Sequence, residues 1–303
     1  MSRVEGQTIL ITGGAGFVGS HLADALVEEN DVIVADDLST GRQADVPDAA
    51  TFQHVDISQP EVLRDLTEDV DLVFHQAAIV SVQRSINQPL SCHDVNTDAT
   101  LTLLDLARER DFRVVLASSA AIYGHPDSLP IHETDPKTPT SPYGADKLTI
   151  DHYARLYNDL YGVETVAIRY FNIFGPRQRA GDYGGVISIF REQALVDDPI
   201  TIDGDGTQTR DFIHVDDVVT ANLLAATTEQ VGEAYNIGRG KQTSIQTLAE
   251  LLRDITGSDS DIVHTDPRPG DIDASVADIS KAKRELGFEP RVSLKDGVRT
   301  LFS

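Results

Sequence analysis

Short apolar runs rich in β-branched residues alternate, through the first half of the chain, with longer stretches whose apolar positions recur at helical spacing. The runs are Gln7 to Thr12, Val32 to Ala35, Thr51 to Val55, Leu72 to His75, Arg113 to Ser118 and Val163 to Arg169. They predict strands, and the stretches Phe17 to Glu29, Asn96 to Arg110 and Tyr143 to Tyr161 predict helices. Such alternation is the pattern of an α/β fold, a doubly wound parallel sheet with helices on both faces.

After RYFNIFGPRQ the texture changes to Gly-rich loops and shorter elements. A smaller C-terminal substrate domain over 172–303 is therefore expected to follow a first domain over 1–171. FIHVDD followed by VVTANLLAATT reads as a strand and helix that could return to the first domain, over about 212–240. YNIGRGKQTSI reads as a strand leading into a helix, and ADISKAKRELGFEP as a closing helix ended at Gly287. No internal repeat or low-complexity tract is visible, which excludes a solenoid.

Composition narrows the partners. The 303 residues are 40% apolar, enough to bury a sizeable core. The net charge is -24, from 35 Asp and 14 Glu against 19 Arg and 6 Lys. Nucleic acid and anionic membranes are excluded as partners by repulsion. The acids are scattered rather than blocked, which predicts a solvated acidic surface of the halophilic kind, needing salt to screen its self-repulsion. One cysteine, Cys92, rules out an internal disulfide and a cysteine-ligated metal site. MSRVEGQTILIT lacks the parts of a signal peptide, and no apolar run is long enough to span a membrane, so a cytoplasmic location is expected.

The first candidate site lies in TILITGGAGFVGSHLADAL. Gly13, Gly16 and Gly19 fall between a strand and a helix, where a phosphate can meet backbone N–H groups and a helix N-terminus. Side chains at the first two positions would block the turn or the pyrophosphate, and one at the third would hold the helix off the sheet. Phe17 and Val18 open that helix. About 20 residues on, Asp36 or its neighbour Asp37 can accept hydrogen bonds from the adenosine ribose, with Ser39 close behind. This Rossmann arrangement selects NAD, since a 2′-phosphate would face a carboxylate; Arg42 keeps NADP open.

The second site is in SPYGADKLTIDHYARLY, where Tyr143 and Lys147 stand four apart on one helix face. A tyrosine with an ordinary pKa near 10 is a poor base at neutral pH. A neighbouring ammonium and an oxidised nicotinamide would both stabilise its phenolate. Ser141 and Pro142 fit the start of that helix.

With these motifs the sequence closely resembles the extended short-chain dehydrogenase/reductase family, and within it the UDP-sugar 4-epimerases, over nearly the whole chain. The resemblance implies that Asp56 and Ile57 flank the adenine and that Gln76, Ala77 and Ala78 line the cofactor. It implies that Ser119, five before the Gly of IYG, hydrogen-bonds a substrate oxygen. Asn172, Arg210 and Arg268 would contact the substrate diphosphate and Asp271 a ribose, with Arg177 and Arg179 as further clamps. Ser275, four after Asp271, would border the sugar pocket, where a small residue admits a 2-acetamido group. Similar dehydratases carry Asp and Glu just after the serine; here stand Ala120 and Ala121, which cannot transfer a proton. His75 reads as a packed strand histidine.

The implied activity is NAD-dependent inversion of a sugar 4-hydroxyl through a 4-keto intermediate, in a homodimer joined through the helices at Asn96 and Tyr143. Two other readings are a 4-keto-sugar reductase, which would consume reduced cofactor, and a noncatalytic dinucleotide sensor, which would lack the Tyr and Lys pair.

Overall fold

The structure, a computed structural model, describes residues 3–179, 185–268 and 270–302. Its strands are β1 (Thr8–Thr12), β2 (Asp31–Asp36), β3 (Thr51–His54), β4 (Leu72–His75), β5 (Arg113–Ser119), β6 (Thr165–Tyr170) and β7 (Asn172–Phe174). There follow β8 (Ile200–Asp203), β9 (Thr209–Arg210), β10 (Phe212–His214), β11 (Glu233–Ile237), β12 (Thr243–Ser244) and β13 (Ile262–Thr265). The helices are α1 (Phe17–Leu26), α2 (Pro60–Leu66), α3 (Val82–Asn87), α4 (Pro89–His93), α5 (Ala99–Arg110) and α6 (Pro142–Tyr161). After them come α7 (Val186–Leu195), α8 (Val215–Thr227), α9 (Ile245–Thr256), α10 (Ser280–Leu286) and α11 (Leu294–Arg299).

One seven-stranded sheet, ordered β11-β6-β5-β4-β1-β2-β3 and parallel at every pairing, forms the frame. The order reverses at β1 and β4, which opens a crevice at the carboxyl ends of these strands. Alternate side chains along each strand feed two separate cores. Ile9 and Ile11 pack with Leu22 of α1, Val218 and Ala221 of α8 and Leu286 of α10. Leu10 packs on the other face with Leu63 of α2, Leu103 of α5 and Ala154 of α6. Each such fully buried Leu or Ile contributes roughly 1.5–3 kcal/mol. A third core joins α7, α9 and α11 through Phe190, Leu248 and Val298, with Phe174 and Phe212 beneath them.

The predicted doubly wound sheet is thus present, with corrections at its edges. The first helix ends at Leu26, not Glu29, because Asn30 Nδ2 donates to the Leu26 carbonyl at 2.9 Å and to the Val4 carbonyl at 3.0 Å. The helix expected from Asn96 begins as a π-turn over Asp94–Asp98 before α5 proper. There Asn96 takes the Ile79 N–H at 2.7 Å and returns a bond to its carbonyl at 3.1 Å. The strand in FIHVDD does not join the main sheet: Phe212–His214 pairs with Asn172–Phe174, and it is the next strand, Glu233–Ile237, that extends the sheet beside β6. The closing helix ends as expected, with Gly287 in the left-handed conformation at φ 69°.

Candidate active site

A cavity of about 510 Å³ runs along the carboxyl ends of the strands from the Gly-rich turn to the start of α6. At one end β1 turns into α1. Gly13 has φ +67°, and a Cβ there would lie 2.7 Å from the Ala77 backbone. A Cβ on Gly19 would lie 2.3 Å from the Gly13 carbonyl oxygen, so only glycine lets α1 close onto the turn. Gly16 is the N-cap of α1, with no side-chain cap and no acid in the first turn. The helix therefore offers uncapped N–H groups to an anion. This cradle fits a dinucleotide pyrophosphate.

Beyond it lie Asp36 and Asp37. Asp36 is buried, and its two carboxylate oxygens accept the Ala15 N–H at 3.0 Å and the Leu38 N–H at 2.8 Å. Burial raises its pKa, opposed by those two bonds. Asp37 is exposed and accepts the Ser39 N–H at 2.9 Å. Both carboxylates line the cavity, as do Phe17, Val18, Ser39, Asp56, Ile57, Gln76, Ala77 and Ala78. Arg42 is exposed and lies outside this lining.

The other end is built where α6 meets β5. Ser141 caps α6 by accepting the Gly144 N–H at 3.1 Å, and Pro142 supplies a first residue that needs no N–H partner. A Cβ on Gly144 would lie 2.8 Å from the Ala121 carbonyl oxygen, which shows how closely the helix seats on the turn after β5. That seating brings Tyr143, Lys147 and Ser119 into the cavity. Ser119 acts on the Tyr143 hydroxyl, and the Lys147 ammonium donates to the Ala117 carbonyl at 2.6 Å, 6.0 Å from the centre of the tyrosine ring. Burial pushes the Tyr143 pKa up, with Ser119 acting against it. Lys147 is brought down to about 8, chiefly by burial, with Asp146 opposing. In the protein without cofactor, burial thus outweighs the other influences on the Tyr143 hydroxyl.

The substrate candidates divide. Asn172, Arg210, Arg268, Asp271 and Ser275 do not line the cavity. Three of them gather around β9. Arg210 pairs with Asp271 at 2.5 Å, and the buried Ser275 donates its N–H to the Thr209 carbonyl at 3.1 Å. Asn172 lies next to them, donating to the Asp211 carbonyl through its own N–H at 3.0 Å. Arg268 stands apart on the surface, paired with Asp203 at 3.0 Å. Arg177 and Arg179 do line the cavity, but on its dinucleotide side.

Other lining residues escaped the sequence reading, among them Thr40, Asp45, Ile79, Val80, Arg84 and Tyr170. The Tyr170 hydroxyl donates to Asn222 Oδ1 at 2.9 Å, with Gln76 Oε1 3.2 Å away. Its place at the end of a predicted strand, beside Asn172, was the available signal. His75 is a core residue: its ring nitrogens meet Thr12 and Thr100 hydroxyls at 2.8 and 2.9 Å, and burial holds its pKa down to about 3.

The profile of the NAD dependent epimerase/dehydratase family matches residues 9–238. The chain belongs to that family. A relative in Methanocaldococcus jannaschii is 41% identical over 295 residues, covering 96% of each chain. The crystal structure of UDP-glucose 4-epimerase from Thermotoga maritima with UDP-glucose superposes with a TM-score of 0.94 at 39% identity, over 97% of each chain. UDP-N-acetylglucosamine 4-epimerase from Methanobrevibacter ruminantium, in complex with UDP-N-acetylmuramic acid, gives 0.95 at 35% identity, over 98% of this chain and 97% of that one. The family membership makes NAD the cofactor of this protein.

Proposed function

We propose that this protein is a UDP-sugar 4-epimerase, which inverts the 4-hydroxyl through a transient 4-keto sugar. The observation that carries the reading is the meeting, in one cavity, of the glycine cradle with Tyr143, Ser119 and Lys147. The full-length likeness to epimerases solved with UDP-sugars supports it. Bound NAD supplies the hydride acceptor and returns the same hydride, so no second substrate is consumed.

The chain's own groups handle the proton and the position of the sugar. Tyr143, as phenolate, takes the proton of the 4-hydroxyl and later gives it back to the keto oxygen. Ser119, which lines the same cavity as Tyr143, polarises the same oxygen. Lys147, fixed on the Ala117 carbonyl, orients the cofactor ribose and stabilises the phenolate. Ala120 and Ala121 supply no acid or base for loss of water, which separates this site from a dehydratase. Asn172 and Arg210 hold the nucleotide diphosphate, and Asp271 a ribose, away from Tyr143, leaving the sugar free to turn over. Arg268 belongs with them once it leaves Asp203. Ser275 forms the small wall that admits an N-acetylated sugar.

In this reading residues 1–171, with 212–240 returning to them, hold NAD, and the rest of 172–303 holds the nucleotide sugar. The enzyme is a homodimer acting in the cytoplasm; Leu156, Leu160 and Tyr161 expose an apolar stripe along α6, where a second copy would dock. The test is to incubate the purified protein at high salt with UDP-sugars and no added cofactor, and to resolve the epimers by chromatography. Interconversion of a C4 pair is expected. A strict demand for added reduced cofactor would favour a reductase instead.

A further inference from the structure

Arg177 and Arg179, read from sequence as clamps on the substrate, turn the other way. Arg177 Nη2 lies 2.7 Å from Asp24 Oδ2 on α1. Arg179 reaches the loop after β2: Nη2 lies 2.5 Å from Asp45 Oδ2, and Nη1 donates to the Thr40 carbonyl at 2.8 Å. Arg177, Gln178, Arg179, Thr40 and Asp45 all line the dinucleotide cavity, whereas Asp24 does not. The chain leaving β7 is thus tied at two points to elements on the opposite rim. Its near end is fixed by Gln178, whose amide donates to the Ile173 carbonyl at 2.9 Å. Arg177 itself has φ +67°, a left-handed conformation uncommon for a residue with a side chain. Such a conformation persists where its surroundings hold it, and concentrates at ligand clamps.

We propose that Arg177 and Arg179 form a two-point clasp that closes the cavity over bound NAD and slows its release. This rests on the reading of the cavity as the NAD site. Each tie is a partly exposed ion pair and weak alone. Two on one short segment reinforce each other, because while one is closed the other re-forms at high effective concentration. NAD escapes only when both are open together. The clasp suits an epimerase: an enzyme that returns its hydride to the same sugar has no need to exchange cofactor, so slow release does not limit turnover.

The experiment loads the protein with NAD, removes free cofactor and follows the release of bound NAD into an enzymatic trap. Asp24→Asn is the decisive variant, since it cuts one tie from the outer side of α1 without altering a residue of the cavity lining. It is expected to speed release about 2- to 5-fold, the effect of one exposed ion pair. Arg177→Gln should match it, and the Asp24→Asn/Arg177→Gln pair should be no faster than either alone. Combining Asp24→Asn with Arg179→Gln cuts both ties and should reach about 10-fold or more. Wild-type release from Asp24→Asn would overturn the clasp, whatever Arg177→Gln does, because an arginine acting directly on the cofactor needs no Asp24. A wild-type protein that retained no NAD would overturn the reading of the cavity itself.

Discussion

At the scale of single residues, burial acts on both titrating groups of the centre. It raises the pKa of Tyr143 and lowers that of Lys147 to about 8. Tyr143→Phe removes one hydroxyl from an otherwise similar ring. It should leave folding and NAD content intact while lowering kcat on the order of 100- to 10,000-fold. The ammonium of Lys147 exists below its pKa of about 8 and is lost above it, so kcat/KM should fall as pH rises through that range. In Lys147→Met the residual activity should lack that alkaline limb; a limb unchanged in the variant would assign it to another group. Ser275 offers a third check. Wild type should interconvert the N-acetylglucosamine and N-acetylgalactosamine forms of the UDP-sugar, and Ser275→Tyr should lose that pair while keeping the unsubstituted one. Loss of both would mean general damage to the buried segment, and no effect would remove Ser275 from the sugar wall. That Tyr143, Lys147 and Ser119 share one cavity was legible in the sequence, the first two from their spacing and Ser119 from the family resemblance. The partners of Arg177 and Arg179 were not: Asp45 lies 134 positions from Arg179, and among so many acids nothing local marks the right one.

At the scale of elements, strands and long helices were readable because burial on both faces of the sheet demands continuous apolar runs. The short α3 and α4 were not. Together they cover only Val82–Asn87 and Pro89–His93, too little chain for a period to show, and Pro89 breaks them apart. Register between distant segments was equally hidden: nothing in the sequence marks Asn172–Phe174 as the partner of Phe212–His214. The Gly-rich turn makes a sharper prediction. Gly13→Ala places a methyl 2.7 Å from the Ala77 backbone at a φ of +67°, so NAD titrations should show weakening of at least about 10-fold, provided the fold survives by circular dichroism. The β1–β4 pairing carries a pH signature through His75. Its folded pKa is lowered to about 3, so below pH 6.5 the unfolded chain takes up a proton that the folded one refuses. Its contribution is whole above 6.5 and declines as pH falls toward 3. Urea unfolding at pH 4.5 against pH 7 should show a loss of about 2–3 kcal/mol that is absent in His75→Gln.

At the scale of the whole molecule, a net charge of -24 on 303 residues sets conditions for every assay. Self-repulsion falls as salt shortens the Debye length, so the unfolding temperature should rise with sodium chloride from 0.1 M to above 1 M. The exposed stripe on α6 gives a test of assembly: Leu160→Asp should convert a dimer to monomer by light scattering, at unchanged helix content. Fold, cofactor and chemistry converge on one central claim, that hydride leaves and rejoins the same carbon. The direct measurement uses UDP-galactose carrying deuterium at the sugar 4-position, with no added cofactor, and mass spectrometry of the UDP-glucose formed. Product that retains the deuterium, with no accumulation of reduced cofactor, is the predicted result; product that has lost the label to solvent or to a free cofactor pool would contradict it.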